Sequence, residues 1–258
     1  MINFKNYIKN NKAFIPFVTA GDPNLEITKE ILKELVKAGS SIIEVGIPFS
    51  DPIAEGNTIM EADIRALSSG TSVNKIFDMI LDFRKDEPDF PLVFMTYLNP
   101  VFSYGYAKFF KKCEEVGIKG IVIPDLPYEE KEEVRSISLK YNVALISFIA
   151  PTSEKRIQNI AKEAEGFLYL VSSLGVTGVR DSIKTDIDGM AKEIKKYTNI
   201  PVCVGFGIKN EESAKKMTNV ADGAIIGSAI VNIIAKYGEK SPKYVYEFAK
   251  RIVDAINE

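Results

Sequence analysis

Apolar positions along this chain alternate between two patterns. Short β-branched runs read as strands buried on both faces, and between them apolar residues recur at helical spacing. Ala13 to Thr19 is the first such run, ended by Ala-Gly-Asp-Pro. Asn24 then caps a helix whose Ile31, Leu32, Leu35 and Val36 face the core until Gly39 stops it. The same unit recurs: strands at Ser41 to Ile47, Pro91 to Thr96, Gly120 to Ile123, Val143 to Ile149, Phe167 to Val171, Pro201 to Phe206 and Gly223 to Ile226. Helices are expected at Glu61 to Leu67, Val73 to Arg84, from Tyr-Leu-Asn-Pro through Cys113 to Val116, and at Glu129 to Lys140. Others are expected at Glu154 to Ala164, Asp188 to Tyr197, Asn210 to Met217, and from a Ser241-Pro242 cap and first turn onward. About eight such units with no break in composition predict one domain over residues 1–258, a closed (β/α)8 TIM barrel rather than an open doubly wound sheet. A short N-terminal helix from Asn3 to Asn10 and an extra short helix after strand 8 complete it.

Composition narrows the function rather than the fold. A net charge of −2 and a pI near 5.6 supply no field for nucleic acid or an anionic membrane. No apolar run approaches the ~18 residues of a membrane span. The polar start Met-Ile-Asn-Phe-Lys-Asn-Tyr argues against a signal peptide, and Cys113 and Cys203 share no ligand or redox spacing, so a cytoplasmic protein is expected. The chain has no histidine, which excludes Ser-His-Asp and Cys-His triads and argues against a zinc centre. Acid and base work falls to carboxylates, tyrosine or lysine, and no metal is expected.

One strand carries a charge. At period two, Ile43, Val45 and Ile47 share one face while Ile42, Glu44 and Gly46 share the other, so Glu44 points inward and Gly46 leaves the space beyond it open to a ligand. A structural carboxylate would need a cation, and no Lys or Arg lies inside an expected strand. Burial without a partner raises its proton affinity, as suits a group that gives and takes a proton near neutrality. Asp51 and Asp125 stand beside prolines and read as turn formers. The seventh strand ends in Gly205-Phe206-Gly207, and the eighth runs into Gly227-Ser228-Ala229-Ile230-Val231. These are the places where this fold binds phosphate on bare N–H groups and a helix N-terminus. Ser172 to Ser182, with two glycines, fits a lid.

Together, Pro16-Phe17-Val18-Thr19-Ala20-Gly21-Asp22-Pro23, Glu44-Val45-Gly46-Ile47-Pro48-Phe49-Ser50-Asp51-Pro52, Leu174-Gly175-Val176-Thr177-Gly178, Gly205-Phe206-Gly207-Ile208 and Gly227-Ser228-Ala229-Ile230-Val231 resemble the tryptophan synthase α subunit, from the first strand to the last. The resemblance implies retro-aldol cleavage of indole-3-glycerol phosphate to indole and glyceraldehyde 3-phosphate. It implies no cofactor in this chain, and a pyridoxal-phosphate-dependent β subunit as partner in a heterotetramer of two α and two β subunits. By the same resemblance Glu44 is the general acid-base. Gly178, Gly207, Gly227 and Ser228 hold the phosphate, and Phe17, Tyr97 and Tyr169 wall the indole and glycerol moieties. Thr177 is the lid threonine, while Asp51, Pro52 and Asn99 meet the β subunit. The family's acidic loop usually reads Ala-Asp-Gly-Pro-Thr-Ile-Gln, its Asp accepting the indole N–H; here it is Ala54-Glu55-Gly56-Asn57-Thr58-Ile59-Met60. Glu55 keeps the charge with one more methylene, and Asn57 loosens a backbone that proline would stiffen. Three readings follow: an active lyase within tryptophan synthase, a weakly active or non-catalytic barrel kept as β-subunit activator, and a lyase that releases indole alone.

Overall fold

The computed structural model describes residues 2–8, 12–151, 154–171, 186–205 and 207–258. Eight parallel strands close on themselves in chain order: β1 (Ala13–Thr19), β2 (Ile43–Gly46), β3 (Leu92–Met95), β4 (Ile118–Val122), β5 (Ala144–Ile149), β6 (Leu168–Val171), β7 (Val202–Gly205) and β8 (Gly223–Ile226). The last strand pairs with the first, Ala13 opposite Gly223 and Pro16 opposite Ile226, so no edge is left unpaired.

Helices clothe this barrel, each following from a buried stripe. They are α1 (Leu25–Ala38), α2 (Asn57–Ser68), α3 (Val73–Phe83), α4 (Leu98–Tyr104), α5 (Tyr106–Glu115), α6 (Glu132–Lys140), α7 (Glu154–Lys162), α8 (Ile187–Lys195), α9 (Glu211–Thr218), α10 (Ser228–Tyr237) and α11 (Ser241–Asn257). Among the described residues most strands are followed by one helix, and β2, β3 and β8 by two. Asn24 caps α1 by accepting the Ile27 N–H at 2.9 Å, as its position predicts. Two apolar layers result. Ile43, Val45 and Ile47 join Leu32, Leu35 and Phe94 between barrel and helices, while Ala13, Ile15, Ile42, Val93, Val122, Tyr169 and Cys203 fill the inside of the barrel. At the lower end a 3-10 turn, Phe4–Tyr7, replaces the longer helix expected from Asn3 to Asn10. Its Phe4 ring plugs the barrel against Phe167.

Four further expectations are corrected. The helix expected after β3 is two helices, broken where Gly105 takes φ 88° and ψ 117°, a conformation outside the helical region. The helix expected from Glu61 begins at Asn57, so it follows almost directly on Glu55. Strand β4 begins at Ile118 rather than Gly120 and takes in Lys119, which is half-exposed. Ser241 is the first residue of α11 rather than its cap: the cap is Lys240, and the Ser241 hydroxyl is buried without a hydrogen-bond partner among the described residues.

Candidate active site

The C-terminal ends of β1, β2 and β3 converge on one small cavity, and the end of β8 abuts its Phe17 wall. Phe17 and Glu44 are register partners on β1 and β2, and Val93 of β3 lies opposite Glu44. Period-two alternation turns Glu44 into the barrel, where it is 0% exposed. Neither of its carboxylate oxygens has a hydrogen-bond partner among the described residues. Desolvation with no compensating cation pushes its pKa up to about 8. Burial, helped by the Glu44 charge nearby, raises the Tyr169 phenol well above its usual value.

Gly46 does clear space, but the Phe17 ring takes it. A Cβ on Gly46 would stand 2.6 Å from Phe17 Cζ, so the room beyond Glu44 belongs to an aromatic wall. The same ring reaches the eighth strand: a Cβ on Gly227 would be 3.3 Å from Phe17 Cδ1. Tyr169 packs in the same way over Gly205, leaving no room for any side chain there. Gly207 differs, for it has φ +77° and a Cβ there would meet nothing within 4 Å among the described residues. Gly227 precedes Ser228, the first residue of α10, and the N–H groups of Ile230 and Val231 turn back onto the Gly227 carbonyl. Bare backbone and a helix N-terminus therefore face the barrel mouth together.

The loop from β2 to α2 folds over this mouth. Its cavity is lined by Phe17, Gly46, Ile47, Glu55, Ile59, Asp63, Met95, Thr96 and Tyr97. Tyr97 organises the loop: its hydroxyl accepts the N–H groups of Ile53 at 2.9 Å and Ala54 at 2.8 Å, and donates to the Glu55 carboxylate. Its ring packs on Phe49 at 5.4 Å between centroids. Burial raises Glu55 to about 7, opposed by the N–H groups of Glu55 and Ala54 and aided by the charge of Asp125. Asp125 is more than the turn former expected, for it also accepts the Leu98 N–H at 2.9 Å.

A profile of the family described as Tryptophan synthase alpha chain matches residues 4–256. The chain belongs to the tryptophan synthase alpha chain family. A relative of that name from Lacticaseibacillus casei is 46% identical over 257 residues, which span 100% of this chain and 96% of the relative. The crystal structure of tryptophan synthase subunit alpha from Legionella pneumophila str. Paris superposes with a TM-score of 0.89 at 32% identity, covering 100% of this chain and 99% of that one. A chain of the tryptophan synthase complex from Pyrococcus furiosus superposes at 0.83 with 31% identity, covering 94% and 97%. As a member of the tryptophan synthase alpha chain family, the protein is a carbon–carbon lyase of tryptophan biosynthesis.

Against the family's motifs, the structure brings Phe17, Tyr97 and Glu55 to one cavity, with Glu44 beside Phe17 and Gly227 against it. Tyr169 stands within the electrostatic reach of Glu44. Thr177, Gly178 and the lid expected from Ser172 to Ser182 lie outside the described residues. Asp51 and Asn99 are exposed and Pro52 is half-exposed, on the rim beside Ile53 and Phe102, which are 73% and 66% exposed. Asp63 was not singled out from the sequence, although it falls on the stripe Ile59, Ala62, Asp63, Ala66 that α2 buries. An acid on a buried helical stripe is the signal that could have found it. The ion pair of Arg65 with Asp22, both contacts at 2.8 Å, was missed too; it ties α2 to the turn after β1.

Raised carboxylates make stability depend on pH. Glu44 binds its proton more tightly folded than unfolded, so its contribution is fully present below about pH 4.5 and is lost as pH rises to about 8. The slope is at most about 1.4 kcal/mol per pH unit. The thermal midpoint of the parent is thus expected to fall more steeply than that of Glu44→Gln between about pH 5 and 8. Parallel curves would show that Glu44 is solvated in the folded protein.

Proposed function

We propose that this chain cleaves indole-3-glycerol phosphate by a retro-aldol step in which Glu44 moves the proton. Glu44, acting as an acid, protonates the indole ring carbon that bears the glycerol chain. It then takes the proton of the adjacent hydroxyl. As the carbon–carbon bond breaks, its electron pair returns to the ring to give indole, and the hydroxyl carbon becomes the aldehyde of glyceraldehyde 3-phosphate. A proton affinity near neutrality suits both halves of that cycle. Glu55 is the carboxylate that accepts the indole N–H while the ring carries positive charge. Phe17, Tyr97 and Tyr169 are the walls. Gly207, Gly227 and Ser228 take the phosphate, with Thr177 and Gly178 of the glycine-containing loop closing over it. The observation that carries the reading is the buried carboxylate of Glu44, without a hydrogen-bond partner among the described residues, at the end of the barrel where glycines leave backbone bare.

The reaction moves protons and stabilises charge, so no cofactor or metal is assigned to this chain. Asp51, Pro52 and Asn99, beside the exposed Ile53 and Phe102, form the rim offered to a pyridoxal-phosphate-dependent β subunit, in a heterotetramer of two α and two β subunits. The Pyrococcus furiosus relative is described in such a complex. Two buried free thiols and the lack, among the described residues, of a helix long and apolar enough to cross a membrane support a cytoplasmic setting.

Gly227→Asp tests the substrate assignment. Its side chain would meet Phe17 and set a negative charge at the helix N-terminus, so KM for indole-3-glycerol phosphate is expected to rise about tenfold or more in a folded protein. A folded variant with the parent's KM would remove the phosphate from this end of the barrel.

A further inference from the structure

Asp63 stands where a structural acid has no reason to be. It is 6% exposed on the inner face of α2 and borders the same cavity as Glu55. Another acid at this end of the barrel, Asp22, is matched by Arg65, the cation on Asp63's own helix. What faces Asp63 instead is Glu55 from the acidic loop, Asp22 from the turn after β1, and the backbone N–H of Phe49 at the loop's start. Beyond Glu55 lie the Tyr97 hydroxyl from the end of β3 and Asp125 from the end of β4.

We propose that Asp63 is a positioning residue for the lyase reaction: held neutral beside an ionised Glu55, it keeps the acidic loop seated over the substrate cavity. This rests on the reading that the cavity is the lyase site. Asp63 borders the cavity that the loop covers, near the N–H of Phe49 at the loop's start; the Phe49 ring packs on Tyr97, and Tyr97 holds Ile53, Ala54 and Glu55. Two anions in so dry a cavity repel, and such a pair loses its protons in two steps. Glu55 accepts the Tyr97 hydroxyl, whereas Asp63 has no hydroxyl or cation partner among the described residues, so the charge settles on Glu55 and the proton on Asp63, whose pKa burial and the Glu55 charge push up to about 8. Once Asp63 follows, repulsion acts across the loop and lifts it from the cavity. The residue thereby sets an alkaline limit on substrate binding, separate from the limit that Glu44 sets on chemistry.

The test separates KM from kcat. For cleavage of indole-3-glycerol phosphate, the parent's KM is expected to climb several-fold as pH passes about 8, while kcat follows Glu44. Asp63→Asn, which keeps the shape of the neutral acid and cannot ionise, should hold KM flat over that range. Asp63→Ala, which empties the space the neutral acid fills beside the loop, should raise KM at every pH. Infrared spectra of Glu44→Gln with and without Asp63→Asn give a second readout that needs no turnover. The first should show a carboxylic-acid C=O band lost as pH passes about 8, and the second should lack it. A KM for Asp63→Asn that climbs like the parent's, or a band that survives the substitution, overturns the proposal. If the chain fails to cleave the substrate, the band still decides whether Asp63 is the neutral partner, so the two failures are told apart.

Discussion

Glu44→Gln is expected to lower kcat for cleavage of indole-3-glycerol phosphate by at least ~10²-fold while KM stays within a few-fold of the parent's. The amide has the shape of the acid and still forms hydrogen bonds, so it keeps whatever ground-state contact Glu44 makes. It cannot pass a proton. The glutamate is fully enclosed and, among the described residues, meets no cation and has no second acid at the same spot to replace it. Asp63 and Glu55 border the neighbouring cavity on the loop and α2 rather than the barrel interior. The substitution should not damage the fold, since a buried carboxylate without a partner costs more than a buried amide. A folded Glu44→Gln enzyme with near-parental kcat would make Glu44 a structural acid.

Glu55→Ala is expected to cost about 10²-fold in kcat, the scale on which one preorganised charge acts in a closed site. Read from sequence, the extra methylene of Glu55 needs either a folded side chain or a withdrawn loop. The structure favours the first. While Asp63 is neutral the loop stays seated: helix α2 starts at Asn57 and is pinned through Arg65 to Asp22, and Tyr97 binds the carboxylate and two N–H groups of the loop at once. A charge tethered to Tyr97 is not free to follow the indole nitrogen, and ~1 Å of misplacement can cost ~10²-fold. The same geometry makes Glu55→Asp with Asn57→Pro a gain. Asn57 is the first residue of α2, where proline is favoured and its missing N–H is not needed. The pair should raise the rate of indole formation by more than the two single effects combined, because both act through one loop. If Glu55→Ala cleaves as fast as the parent, Glu55 is only a loop charge and the indole nitrogen has another acceptor.

What could be read from sequence was what local rules decide. Period-two alternation on β2 placed Glu44 inside the barrel, Asn24 and Gly39 marked the ends of α1, and glycines at the last two strands marked the open mouth. What escaped depends on parts distant in sequence. Phe17 fills the space beside Gly46 because β1 and β2 are neighbours, a contact that neither strand's pattern reveals alone. Asp63 gained its place only when α2 was found to begin before Glu61 and turn that face toward the loop. Asp125 read as a turn beside proline, yet it caps α4 and acts on Glu55 from another strand's end. The break at Gly105 was hidden because apolar spacing continues across it.

The most direct test of the central claim is the steady-state release of indole from indole-3-glycerol phosphate by the purified protein, alone and with saturating β subunit. The account predicts slow cleavage by the chain alone, yielding indole and glyceraldehyde 3-phosphate in equal amounts, and a faster rate when the β subunit covers the rim around Asp51, Pro52 and Asn99. A folded protein that releases no indole in either case, while still raising the β subunit's own activity, would contradict it and make the barrel an activator rather than a lyase.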